Sequence, residues 1–185
     1  MLLIAAVLIG IVALTVAGTF GYRYFKAVVG RNDDGDRTVR TEIEGQRLRL
    51  DLPTSGDVEH VAIWFHGQGA DENARMNEPW LNALRADGWA VASSQFHTSS
   101  WGSGASVDDT ISLTEWMRTE TGVTPTLWIA GSMGGAVSLN TMIHTDVEPE
   151  CWYGTMPVVD LDSVSEVPGA TDEITAVWGD AVPSE

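Results

Sequence analysis

Trp128-Ile129-Ala130-Gly131-Ser132-Met133-Gly134-Gly135 is the run on which the fold turns. Thr126–Ala130 reads as a short apolar strand, and Ser132–His144 has a helical pattern. A serine therefore stands where a strand gives way to a helix. Small residues two positions either side, Ala130 and Gly134, suit a cramped turn, because larger side chains there would strike neighbouring backbone. Such a turn lifts the hydroxyl above the carboxyl edge of a sheet. It also aims a helix N-terminus at any negative charge that develops beside it. A serine merely capping a helix is the competing reading; the buried strand directly before it favours a nucleophile turn.

Outward from this run, strands and helices alternate. Thr38–Ile43 and Arg47–Leu52 flank Glu44-Gly45 as a β-hairpin. In Val58–Phe65 the residues Val61, Ile63 and Phe65 alternate, while Ala62 and Trp64 make the other face apolar too. Burial on both faces marks a central strand covered by helices. Asn77–Ala86 reads as a helix with Leu81 and Leu84 on the Trp80 face, and Trp89–Ser94 as a further strand. A Ser/Gly loop spans 97–105. Ser106 then reads as an N-cap, with Asp109 three residues on, of a helix that stops at Gly122. Trp152–Val158 reads as the sixth strand. Residues 171–178 fit either a short helix or a strand, with helix the preferred reading. The alternation predicts an α/β fold with a mostly parallel, doubly wound sheet entered through a hairpin.

A second motif, Phe65-His66-Gly67-Gln68-Gly69, follows the central strand directly. A loop there offers the backbone N–H of Gln68 or Gly67 towards the serine, and the N–H of Met133 supplies the other half of an oxyanion hole.

With these motifs the chain resembles the α/β-hydrolase family, from about Thr38 to Leu161. The runs Trp64 to Gly69, Asp87-Gly88-Trp89-Ala90-Val91-Ala92 and Ser132-Met133-Gly134-Gly135 resemble its esterase and prolyl-oligopeptidase-like branches. So do His97 to Gly102, before Ser106-Val107-Asp108-Asp109, and Met156-Pro157-Val158-Val159-Asp160-Leu161. The G-x-S-x-G form is met with Ala130 in the first glycine's place. The resemblance implies strand order 1-2-4-3-5-6 and Ser132 as the nucleophile of a serine esterase or peptidase. The substrate class it implies is a small-molecule or peptide ester or amide, attacked without a cofactor or metal.

The chain departs from the family in its base. The family carries its acid after strand six or seven and its histidine after strand eight. Here no histidine follows His144. His144 lies twelve residues beyond Ser132 on the same helix, about 18 Å away at ~1.5 Å per residue, out of reach. His66 belongs to the oxyanion loop, and both it and His97 are pocket-lining candidates. His97 ends the fourth strand, two strands from Ser132 and about 10 Å away at the usual strand spacing. It is the surrogate base to be weighed. Asp160, at the end of the sixth strand, is the candidate acid; Asp162 and Asp180 are the others. Each is equally readable as a solvated loop acid. Trp101 and Trp152 could line an acyl pocket or simply pack. The expectation is a hydrolase fold lacking its C-terminal strands, weakly active, with an open sheet edge that invites a protein partner. A non-catalytic, hydrolase-like binding domain is the alternative.

Composition narrows the partners. The 185 residues carry 26 Asp+Glu against 10 Lys+Arg, a net charge of −16. All ten basic residues lie at or before Arg118, and residues 119–185 hold eleven acids. Such a surface repels phosphate and argues against nucleic-acid binding. One cysteine, Cys151, excludes an intrachain disulfide, and no zinc-type Cys/His spacing occurs. The first 22 residues are uncharged, and Met1–Phe20 is long and apolar enough to span a bilayer. Tyr22 and Tyr24 then fall at an interface, with Arg23, Lys26 and Arg31 beyond. Residues 1–29 therefore read as a single-pass anchor, 30–37 as a polar linker and 38–185 as the hydrolase-like domain. A cleaved signal peptide is the rival, lacking its basic n-region here. The positive charges place the domain on the cytoplasmic side, the extracytoplasmic side being the alternative.

Overall fold

The computed structural model describes residues 37–179. The anchor expected at 1–29, nearly all of the linker and Asp180 lie outside them. No helix among the described residues is long and apolar enough to cross a membrane.

Six strands form one sheet in the order β1-β2-β4-β3-β5-β6, the order that the resemblance implies. They are β1 (Thr38–Ile43), β2 (Gln46–Asp51), β3 (His60–Phe65), β4 (Trp89–Ser94), β5 (Leu127–Gly131) and β6 (Cys151–Thr155). β1 and β2 form the hairpin, with Ile43 opposite Gln46. Its two turn residues, Glu44 and Gly45, have φ of 51° and 81°. Two successive positive φ values give the turn the twist that its strands require. β2 pairs antiparallel with β4. The pairs β4–β3, β3–β5 and β5–β6 are all parallel.

Alternation along the strands splits the interior into two layers. Val61, Ile63 and Phe65 of β3, with Ala90, Ala92, Trp128 and Ala130, face one core. It is closed by Leu113, Trp116 and Met117 of α2 (Gly104–Thr121), Val137 of α3 (Gly134–His144), and Ala170 and Ile174 of α4 (Ala170–Trp178). Ala62, Val91 and Ile129 face the other way, under Leu81 of α1 (Glu78–Ala86) and Met76. The sheet is thus covered on both sides, as a parallel sheet requires. Residues 171–178 fall within α4, so the helical reading holds.

Two element boundaries that bear on the site differ from the sequence reading. α2 begins a turn earlier than expected, at Gly104 with Ser103 in the N-cap position. Ser106 is no cap: its N–H and its hydroxyl both donate to the Ser103 carbonyl, at 2.9 and 2.8 Å. Asp109, freed from a capping role, turns towards His97. β6 stops at Thr155 and does not run to Val158. Met156 takes φ of 49° and Pro157 has no N–H to give a ladder. The chain folds back, and the Val158 N–H donates to the Ser132 carbonyl at 2.8 Å. On α1, Leu81 is buried, but Trp80 is 45% exposed and meets Tyr153 of β6 edge-on, at 5.9 Å between ring centres.

Candidate active site

Ser132 follows the last residue of β5 and precedes α3. Its φ is +50° and its side chain is exposed. A non-glycine residue in the left-handed region carries a steric cost, tolerated only where the surroundings over-determine it. Here they do. The Ser132 carbonyl accepts hydrogen bonds from Gly135 at 2.9 Å and Val158 at 2.8 Å. A side chain at Gly134 would fall on the Phe65 carbonyl oxygen, and one at Gly135 would come within 2.6 Å of the Val158 oxygen. Both glycines let α3 start hard against β3 and the loop after β6. The need for a small residue at 134 is legible from the serine's spacing. The need at 135 comes from Val158, 23 positions along the chain.

The Phe65–Gly69 loop crosses the serine. A Cβ built on Gly67 would lie 3.4 Å from Ser132 Cβ and 3.9 Å from its Oγ. Hydrogen bonds at this corner run from Ala70 N–H to the Gly67 carbonyl, and from Gly135 and Val158 N–H to the Ser132 carbonyl. The amides of Gln68 and Met133 take part in none of them. Met133 adjoins Ser132 in the chain and Gln68 adjoins Gly67, so their amides are the candidate donors to an oxyanion beside this exposed hydroxyl at the start of a helix. The Gln68 side chain points elsewhere. Its Nε2 donates to Glu173 Oε2 at 2.8 Å and to the Pro168 carbonyl at 3.2 Å.

The histidines are placed less favourably. His66 is 1% exposed. Its Nδ1 lies 2.9 Å from the Gly67 carbonyl, and its Nε2 lies 3.1 Å from the carbonyls of Ser94 and Gln95. With both ring nitrogens against backbone oxygens, His66 braces the loop. His97, at φ +54°, presents Nδ1 to Asp109 Oδ2 at 2.8 Å. Its Nε2 meets Gln46 Nε2 at 3.4 Å. Gln46 opens β2, on the far side of β4 from β3 and β5. Asp109 is buried, and that burial raises its pKa, countered in part by the His97 hydrogen bond and charge. A histidine oriented by a carboxylate is the pairing that activates a nucleophile, but the other ring nitrogen of this histidine lies against Gln46 of β2 and not against Ser132. His144 is exposed at the end of α3.

With β6 ending at Thr155, Asp160 stands in the loop beyond it and not at the strand end. Its Oδ1 accepts the Asp162 N–H at 2.9 Å and its carbonyl accepts the Ser163 hydroxyl at 2.6 Å. These bonds cap the short 3-10 turn Asp162–Val164. Asp160, Asp162, Trp101, Asn140 and Trp178 line an open cavity of about 450 Å³ beside α3. Trp101 is 1% exposed, and its indole N–H donates to Glu173 Oε2 at 2.8 Å. Trp152 donates to Ser138 Oγ at 2.9 Å, a packing role. Among the described residues no group of three or more His, Cys, Asp or Glu is placed to hold a metal ion. Glu173, which joins Gln68 to Trp101, had no signal in the sequence. It lies 105 positions from one partner and 72 from the other.

No protein-family model and no curated protein matches the sequence. Solved structures do match. A cold-adapted esterase from an Arctic intertidal metagenomic library aligns at 14% identity with a TM-score of 0.59, over 84% of this chain and 73% of that one. A puromycin-hydrolyzing peptidase of Mycobacterium tuberculosis aligns at 16% identity with a TM-score of 0.58, over 76% of this chain and 26% of that one. The chain has the α/β-hydrolase fold. Brefeldin A esterase, a bacterial homologue of human hormone sensitive lipase, aligns at 19% identity with a TM-score of 0.50, over 85% of this chain and 53% of that one. The chain thus spans about a quarter of the peptidase and about half of the brefeldin esterase. In the hydrolase fold the described residues comprise the sheet from its opening hairpin through β6, with the serine turn and the loop opposite it.

Proposed function

We propose that the protein is a serine hydrolase that attacks an ester or amide carbonyl through Ser132 and passes through an acyl-enzyme. The observation that carries this reading is an exposed serine at positive φ at a strand-to-helix turn, its Oγ 3.9 Å from a Cβ built on Gly67 of the loop after β3. The oxyanion forming on the carbonyl would take the N–H groups of Gln68 and Met133, with the Gly67 backbone shaping the approach. The esterases and peptidase among the structural neighbours support a small-molecule or peptide substrate.

The base is the weak element. Asp160 is engaged in its own turn, and a carboxylate without an imidazole has nothing to orient. Turnover by these residues without a base would rest on oxyanion stabilisation and binding, which together supply about 10³–10⁴ over water in hydrolases stripped of their triad. The engagement of His97 with Asp109 and Gln46 favours a second reading, a hydrolase-like domain that binds and does not turn over. Residues 1–29 would tether either form to a membrane as a single span, with the domain on the cytoplasmic side.

A fluorophosphonate probe separates the two. It reacts with an activated serine and stays attached. Mass spectrometry should find it on Ser132, and Ser132→Ala should abolish both labelling and slow hydrolysis of p-nitrophenyl acetate. Hydrolysis indifferent to Ser132→Ala would sink the reading.

A further inference from the structure

We infer that Glu173 is a positioning residue that latches the loop carrying the Gln68 amide over Ser132. The inference rests on the hydrolase reading of Ser132 for its chemical meaning. Its geometry stands apart from that reading.

A single carboxylate oxygen, Glu173 Oε2, accepts the Gln68 side-chain amide and the Trp101 indole N–H, each at 2.8 Å. The two donors belong to different loops. Gln68 lies in the loop after β3. Trp101 lies in the loop after β4, where Phe96, His97, Thr98 and Trp101 all have positive φ. The acceptor lies on the first turn of α4, so three chain segments converge on one oxygen. Hydrogen bonds to an ionised acceptor are among the stronger ones and lose little to water when part-buried. Both of these are part-buried.

Two further contacts align with the same latch. The Pro168 carbonyl, just ahead of α4, accepts Gln68 Nε2 at 3.2 Å. At the far end of α4, the Trp178 indole donates to the Trp101 carbonyl at 3.0 Å. α4 therefore grips the Trp101 loop at both ends of the helix and the Gln68 loop at one.

Gln68 stands between Gly67 and Gly69, and Gly69 has φ of +69°. Backbone contacts hold the two peptide planes beside it: the Gly67 carbonyl accepts the Ala70 N–H at 3.3 Å and lies 2.9 Å from His66 Nδ1, and the Gly69 N–H donates to Ser99 Oγ at 3.2 Å. Two of these three contacts are longer than 3 Å, so a shift at Gln68 would lengthen them without disturbing the core. The Gln68 side chain is the handle by which Glu173 adds to that hold. Donors must be in place before the reaction for their effect to be large, and losing one costs about 10²–10³ in rate. Loosening one should cost less, about tenfold.

The test uses the full chain and two readouts, the rate of fluorophosphonate labelling at Ser132 and amide hydrogen exchange at residues 67–70. Glu173→Ala should slow labelling about tenfold and speed exchange at 67–70 about tenfold, with exchange in β3 and β5 unchanged. Glu173→Gln keeps an acceptor oxygen and should restore both readouts to within about threefold of wild type. Gln68→Ala removes the handle and keeps the backbone N–H. It should match Glu173→Ala, and the double variant should add nothing. Asp172→Asn, on the exposed side of the same turn, serves as the unaffected control. A Glu173→Ala protein with lower thermal stability but wild-type labelling and exchange at 67–70 would overturn the latch. Failure of the wild-type protein to label at Ser132 would overturn the hydrolase reading and with it the catalytic meaning of Glu173. In that case the exchange at 67–70 still decides the latch itself.

Discussion

His97 Nδ1 stands 2.8 Å from Asp109 Oδ2, and the other nitrogen of the same ring abuts Gln46 on the opposite flank of β4 from Ser132. The pair has the chemistry of a base and its orienting acid, yet its exposed end is turned to the hairpin. It owes its existence to the early start of α2. Had the helix begun at Ser106, Asp109 would lie in its first turn, beside the free N–H groups. With the start at Gly104, Asp109 faces the left-handed loop that carries His97.

The buried Asp109 predicts a pH effect of definite sign. Burial first, with the charges of Asp108 and Glu44, raises its pKa above the usual value, and the His97 hydrogen bond and charge lower it. The folded protein therefore holds this proton more tightly than the unfolded chain, whose aspartate titrates near ~3.9. Above the raised value the ionised carboxylate costs stability, and that cost is relieved as pH falls through it. Asp109→Asn keeps an acceptor for His97 and removes the titration. Urea midpoints at pH 7, 6, 5 and 4 should show the variant's advantage over wild type shrinking as pH falls. An advantage that grows on acidification would contradict the sign.

The elbow glycine gives a steric prediction. A methyl group at 134 would fall on the Phe65 carbonyl oxygen, and that oxygen belongs to the central strand and cannot yield. Gly134→Ala should destabilise the fold by about 3 kcal/mol or more, at the upper end of overpacking effects. Gly104→Ala, where nothing lies within 4 Å of the new atom, is the matched control and should be near neutral. Urea denaturation of both variants decides it.

How much of this could be read from residues alone depends on the range of the interaction. The hairpin, the central strand, the Gly122 stop and the serine turn are short-range matters of alternation, positive φ and small side chains, and their patterns lie in the sequence. The strand order entered through the resemblance, not through periodicity. The apolar pattern carries the sixth strand on to Val158; the break is made by Met156 at positive φ and by Ser132 capturing Val158, neither visible locally. Ser103 and Ser106 are equally good caps in isolation, and tertiary packing chose between them. Glu173 looks like any acid in a helix's first turn. Its meaning arises only when α4 folds over a loop 105 positions away.

The sixth strand leaves an edge whose consequences are measurable. Among the described residues β6 pairs only with β5. Beside it, Trp80, Leu84, Leu127, Ile129 and Tyr153 line an open apolar groove of about 430 Å³, and Tyr153 is 50% exposed. Open edges are held apart in natural sheets by charge, lysine above all. Tyr153→Lys should reduce concentration-dependent association in sedimentation velocity and leave the circular dichroism unchanged. Equal association of both proteins would mean that the edge is not the adhesive surface.

The apolar run Met1–Phe20 predicts where the full-length chain partitions. It is long enough to cross a bilayer and has no basic residue ahead of it. Full-length protein should resist carbonate extraction from membranes, and a chain starting at residue 30 should be released. A full-length protein recovered in the soluble fraction, or a mature N-terminus near Thr19, would refute the anchor.

The decisive question for the site is whether His97 acts on Ser132. Its Nε2 would have to carry the proton, because Nδ1 is committed to Asp109. That nitrogen sits against Gln46 at the start of β2, and β2 is three strand positions from β5, about 14 Å at the usual spacing. To reach the serine, His97 would have to abandon both partners. A general base contributes about 10²–10⁴ to rate where it acts. His97→Ala should therefore change the fluorophosphonate labelling of Ser132 by less than about twofold. Asp109→Asn should change it no more. A loss of a hundredfold in both variants would show that the pair swings over to serve the serine, and the slow, base-free turnover proposed above would be wrong.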